Sequence, residues 1–88
     1  TRRQVVAQGT LVELTAAQFN ILALLACHPG WVYSRGQIMA TVWGNDFSGD
    51  SRAADMQIRN IREKIEPEPK NPRYVLTARG MGYKFAEI

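Results

Sequence analysis

This sequence predicts an α+β domain of short strands, three helices and a closing β-hairpin, and three observations carry the prediction. Two helix starts are written in one code: Thr15-Ala16-Ala17-Gln18 and Ser34-Arg35-Gly36-Gln37 are both capping boxes. A third helix is marked by Ala54, Ile58, Ile61 and Ile65, an i, i+4, i+7, i+11 stripe at about 100° per residue. Finally, aromatic and β-branched residues flank a glycine-bearing turn near the end of the chain, which reads as a hairpin.

In chain order, Gln4-Val5-Val6-Ala7 and Thr10-Leu11-Val12-Glu13-Leu14 predict two short strands about a turn containing Gly9. A lone hairpin is marginal, so it is expected to pair further or to lie on the helices. The first capping box carries a hydrophobic staple, Leu14 with Phe19, and opens a helix that buries Phe19, Leu22, Leu25 and Ala26 until Pro29-Gly30 stops it. The second has Tyr33 and Ile38 as its staple and buries Ile38, Met39, Val42 and part of Trp43, ending at Gly44. Residues 45–50 form a polar loop with an exposed aromatic, Phe47, and Asp50 or Ser51 caps the third helix over 51–65. Pro67, Pro69 and Pro72 forbid its continuation. Arg73–Thr77 and Tyr83–Ala86 then flank Ala78-Arg79-Gly80-Met81-Gly82, with Arg79 at the tip. Phe85 is expected in the core and Tyr83 half exposed, on alternate faces.

Eighty-eight residues suit one small core. The net charge of +3 is unevenly placed. Before residue 52, Arg2, Arg3 and Arg35 balance Glu13, Asp46 and Asp50, so the excess lies in the second half, as suits a nucleic-acid face. A single cysteine, Cys27, excludes an internal disulfide and fits a reducing compartment. The apolar run Ile21–Cys27 is seven residues, far short of a membrane span, and no export signal follows Arg2-Arg3. A soluble, cytoplasmic protein is expected.

Catalytic chemistry finds little to work with. Cys27 and His28 are sequence neighbours, so on a helix they diverge, and neither belongs to a metal-binding spacing. Cys27 is expected at the core edge and His28 at the helix C-terminus. Gly80-Met81-Gly82 lacks both the third glycine and the following helix of a dinucleotide fingerprint. Glu63, Glu66 and Glu68 read as a solvated cluster at a helix end. No enzyme, cofactor or metal is expected.

The side of the third helix opposite its isoleucines carries Arg52, Ala53, Met56, Arg59, Asn60 and Glu63. Alone, such a face is more often merely solvated. It also fits the major groove, where Arg grips phosphate or guanine, Asn reads adenine, and apolar groups meet the thymine methyl. A three-helix unit with this last helix, followed at once by a hairpin with a basic tip, is a winged helix-turn-helix layout. The hairpin then reaches flanking backbone or minor groove, whose negative channel attracts an Arg such as Arg79. Arg62 lies at the face boundary and leans onto phosphate in this reading, whereas Arg35 is expected to pair with an acid.

The chain also resembles the C-terminal effector domain of OmpR/PhoB-type response regulators. The resemblance runs through Leu14–Phe19, Pro29–Arg35, Val42-Trp43-Gly44, Asp55, Ile58, Ile61-Arg62, Lys64–Pro67, Asn71–Tyr74 and the closing Arg79-Gly80-Met81-Gly82-Tyr83-Lys84-Phe85, over roughly residues 11–86. It implies double-stranded DNA as partner. By position, Trp43, Arg52, Arg59, Arg62, Thr77 and Tyr83 resemble the family's phosphate-contacting set. Ala53, Met56, Gln57 and Asn60 resemble its base-facing set, and Arg79 its wing residue. It further implies N-terminal strands retained only in part and a receiver domain that lies outside this chain. The receiver would carry the phospho-acceptor, so that role does not fall to Asp46, Asp50 or Asp55. Dimerisation through that receiver on direct-repeat sites follows, as does an RNA polymerase contact through the loop over 45–50. The departures are Asn60 and Glu63, where relatives often carry a basic residue, and Ala53 and Met56, where Thr and Val are common. The competing class is an interaction module that uses the wing or the 45–50 loop to hold another protein.

Overall fold

A computed structural model describes residues 4–7, 9–43 and 52–87, the side chain of Trp43 apart. The polar loop, Phe47 and the cap of the third helix therefore lie outside the described residues.

Strands β1 (Gln4–Ala7) and β2 (Thr10–Glu13) pair antiparallel, Gln4 opposite Glu13 and Ala7 opposite Thr10, around Gly9. Helix α1 (Ala16–Cys27) starts as its code demands: the Thr15 hydroxyl accepts from the Gln18 N–H at 3.2 Å, and Gln18 Oε1 accepts from the Thr15 N–H at 3.1 Å. Helix α2 (Arg35–Trp43) repeats the exchange, Gln37 N–H to Ser34 Oγ at 3.1 Å and Ser34 N–H to Gln37 Oε1 at 2.8 Å. Helix α3 (Arg52–Ile65) buries Ala54, Ile58, Ile61 and Ile65, the stripe predicted for it.

The three helices pack on one another around Ile21, Leu25, Ile38, Met39, Ile58 and Ile61, all with no residual exposure. The stripe on α1 differs from expectation. Gln18, Ile21, Leu22 and Leu25 are the buried positions, Phe19 packs at the edge, and Ala26 and Cys27 are exposed. This helix is apolar almost all round from Phe19 to Cys27, so periodicity alone did not fix which side faces inward. His28 ends α1 and stacks its ring on Trp31, with centroids 4.0 Å apart.

Strands β3 (Val75–Ala78) and β4 (Gly82–Phe85) close the chain as an antiparallel hairpin, with Thr77 opposite Tyr83 and Val75 opposite Phe85. Tyr33, between α1 and α2, exchanges two backbone hydrogen bonds with Tyr83 at 2.8 and 2.9 Å, and so adds a one-residue third strand. Gly82 makes that approach possible, because a Cβ there would stand 2.0 Å from the Tyr33 carbonyl oxygen. Tyr83 and Phe85 both pack against the core rather than on alternate faces, since residues two apart on a strand point the same way. Among the described residues, the two hairpins remain separate sheets.

Candidate nucleic-acid interface

Helix α3 does two jobs with two sides. Its isoleucine side is sealed in the core, and that fixes what the other side must present. Met56 keeps 60% of its surface open, and Arg59 is exposed with its side chain 3.9 Å from Glu63. Such a one-turn pair in water is worth a few tenths of a kcal/mol, about 0.3–0.5, and holds the guanidinium loosely. Arg52 is exposed at the helix start, while Gln57 and Asn60 are half-buried. Ala53 is half-buried as well and packs against the core cluster. Trp43 is the last residue of α2, and its side chain lies outside the described set.

Arg62, Thr77 and Tyr83 meet in one cluster between α3 and the hairpin. Arg62 donates from Nε to the Val75 carbonyl at 3.0 Å and from a terminal nitrogen to Thr77 Oγ1 at 2.8 Å. Its guanidinium also stands over the Tyr83 ring, 5.5 Å from the centroid, within cation–π range. Cross-strand pairing explains the convergence: Thr77 and Tyr83 are direct partners, so their side chains share the face turned to α3. On the far side of the cluster, the Tyr83 hydroxyl donates to Asp55 Oδ1 at 2.6 Å, and Arg35 reaches Asp55 Oδ2 at 3.1 Å. The Tyr83 phenol is pushed up to about 12, mainly by burial and then by the hydrogen bond to Asp55 and its charge, with Arg62 and Arg35 pulling the other way. Arg35 thus has the acidic partner expected of it. Arg62 differs from expectation in that part of its donor capacity is committed to the wing.

The hairpin turn is Arg79-Gly80-Met81, closed by the Met81 N–H on the Ala78 carbonyl at 2.8 Å, with Arg79 exposed at the tip. Its base is held by Glu66, and here the sequence reading needs correction. Glu66 is not part of a solvated cluster: it is 6% exposed, and its carboxylate accepts from the backbone N–H groups of Arg73, Tyr74 and Val75 at 2.7–3.3 Å. Those three donors open the strand that Arg62 also holds. One signal could have exposed the role. An acid just past a helix C-terminus opposes the helix dipole, so its presence there implies compensating donors nearby. Asp55 was missed as well, because its partners lie 20 and 28 residues away. Lys64 completes the ties from α3: its ammonium donates to the buried Gln18 Oε1 at 2.8 Å, joining α3 to the start of α1.

Helix side and wing together present Met56, Arg59 and Arg79 to solvent from one braced unit. The sequence matches the model of the family described as transcriptional regulatory protein, C terminal, over residues 9–85. The chain belongs to this family. The alkaline phosphatase synthesis transcriptional regulatory protein SphR of Synechococcus elongatus is 49% identical over 73 residues, which make up 83% of this chain and 28% of that protein. Among solved structures, the response regulator DrrB, an OmpR/PhoB homologue from Thermotoga maritima, is similar over 91% of this chain and 36% of its own, with a TM-score of 0.81 and 35% identity. The RstA DNA-binding domain of Klebsiella pneumoniae, solved in complex with the RstA box, is similar over 94% of this chain and 82% of its own, with a TM-score of 0.81 and 32% identity. The fold is therefore the winged helix of OmpR/PhoB DNA-binding domains. No helix among the described residues is long and apolar enough to cross a membrane.

Proposed function

We propose that this domain binds duplex DNA as the output domain of a bacterial two-component transcription regulator. Helix α3 lies in the major groove and the β3–β4 wing at the flanking minor groove. One observation carries the reading: an open row through Met56 and Arg59 runs along a helix whose opposite side is wholly core, and that same helix holds the basic-tipped hairpin. Helix-turn-helix proteins use this division, with the buried stripe locking the reading face in place. The RstA structure, a relative bound to its box, supports it.

In this reading Arg52, Arg59 and the free capacity of Arg62 meet phosphates, with Trp43, Thr77 and Tyr83 at the margin. Met56, Asn60, Gln57 and Ala53 face bases, and Arg79 enters the minor groove. Met56 and Ala53 favour thymine methyls, and Asn60 favours adenine. The chain spans 28% of SphR, so the rest of such a protein supplies what this domain lacks. Two copies then sit head to tail on direct repeats, joined through a receiver, and the loop over 45–50 contacts RNA polymerase.

Duplex affinity should fall linearly in log K against log salt, with a slope that counts the phosphates contacted. Arg59→Ala should weaken all sequences alike and flatten that slope by about one. Asn60→Ala should cost about 1–3 kcal/mol on the preferred site and relax one base position. A salt-independent affinity, or an Asn60→Ala variant with unchanged sequence preference, refutes the assignment.

A further inference from the structure

We infer that Asp55, which has no place among the DNA-facing residues, positions the wing for recognition; the inference rests on the DNA-binding reading above. Three elements meet at its carboxylate. Its backbone belongs to the first turn of α3, Oδ2 receives Arg35 from the start of α2 at 3.1 Å, and Oδ1 receives the Tyr83 hydroxyl of β4 at 2.6 Å. The Arg35 arm is open to water, with side chains 47% and 41% exposed, and such pairs add little stability. What the carboxylate does decide is a direction.

Tyr83 follows Gly82 at the start of β4, immediately after the Arg79–Met81 turn. The place where its hydroxyl is held on α3 therefore sets how Arg79 stands relative to Met56 and Asn60. Arg62 fastens the opposite strand, at Val75 and Thr77. Because Thr77 and Tyr83 are cross-strand partners, the two ties grip the hairpin from both strands at one level and stop it rocking about its long axis. Asp55 anchors one tie and Arg62 the other.

Charge gives the test a decisive sign. Asp55 is an anion on the helix that faces DNA, so its removal should on electrostatics alone tighten binding to any duplex. A positioning role demands the reverse wherever the wing is engaged. The measurement uses this chain and a half-site selected from a random duplex pool, in two lengths at fixed salt. One duplex extends beneath the wing, and the other stops short of it. The wild type should bind the longer duplex more tightly. Asp55→Asn should lose about fivefold or more of that gain, the scale of one hydrogen bond, while binding the short duplex at least as well as the wild type. Retained binding to the short duplex also shows that the variant is folded. Tyr83→Phe should lose the same gain, and the double variant no more than either single one, as expected for two residues acting through one contact. Equal tightening or equal weakening of both duplexes by Asp55→Asn overturns the inference, as does a wild type that gains nothing from the extension. A wild type that binds neither duplex fails the DNA-binding reading instead.

Discussion

The two hairpins of this domain are built alike and held differently. Each has four-residue strands paired antiparallel about a glycine-containing turn. The first rests on the core through Val5, Ala7 and Val12 and turns Val6 and Leu11, a cross-strand pair, out to solvent at 71% and 59% exposure. Among the described residues, a side-chain tie reaches it from α3, Lys64 to the Glu13 carbonyl at 3.4 Å. The second is gripped by Glu66 at its base, by Arg62 on β3, by Asp55 on β4 and by the Tyr33 backbone along its edge. Apolar contact is non-directional and tolerates small slips, whereas hydrogen bonds fix an angle. The hairpin that carries Arg79 is the one whose angle is fixed.

The sharpest way to break that contrast is one substitution made in both hairpins. Gly82→Ala drives a Cβ to 2.0 Å from the Tyr33 carbonyl oxygen at a φ of +139°, so the third-strand pairing must give way. The expected loss is about 4 kcal/mol, in the range reserved for core or backbone disruption, read from urea unfolding. Gly9→Ala sits at a φ of +76° with open space around it, and only the left-handed backbone penalty of about 1 kcal/mol applies. Equal losses would mean that the two hairpins are held alike after all.

Glu66 comes next. Glu66→Ala strands the buried N–H of Val75 and the part-buried N–H groups of Arg73 and Tyr74, at an expected cost of about 3 kcal/mol. Glu66→Gln keeps one acceptor oxygen and should recover part of the loss. The deficit should also appear as faster amide exchange in β3 than in β1, since the opening is local to the wing. Uniform exchange across both hairpins would remove Glu66 from its role as the wing's anchor.

What the sequence disclosed, and what it hid, divides along the same line. Both capping boxes were legible because donor and acceptor lie three residues apart, and the α3 stripe because a polar helix has only one apolar side. The buried side of α1 was not, since an almost uniformly apolar helix offers no contrast. The role of Glu66 was hidden for a different reason: its partners are backbone N–H groups seven to nine residues on, and these carry no mark of residue type. Arg35 could be expected to find an acid, but only the fold brings Asp55 across 20 residues to meet it. Tyr83 is half exposed as expected, but it shares the face of Phe85 because strand residues two apart point the same way, and that places it at the centre of the bracing cluster. Residues 45–50 lie outside the described set, and the polymerase contact assigned to them stays a proposal.

The smallest expected effect tests the bracing at its centre. Tyr83 is neutral when protonated, and its hydroxyl must keep its proton to donate to Asp55. In the unfolded chain it deprotonates near the ordinary tyrosine value of 10, and in the folded protein at about 12. Between these values the unfolded state binds fewer protons than the folded one, so stability falls as pH rises. The contribution is therefore complete below pH 10 and lost as pH passes through 12. The difference between wild type and Tyr83→Phe is the quantity to follow, because it isolates this one phenol. It should be constant up to pH 10 and shrink across the window above it. Asp55→Asn removes both the charge and most of the acceptor strength, so phenolate absorbance should then show the Tyr83 midpoint falling back toward 10. A midpoint unmoved by Asp55→Asn would mean that burial alone raises it. The wing would then lean on α3 by packing, as the first hairpin does.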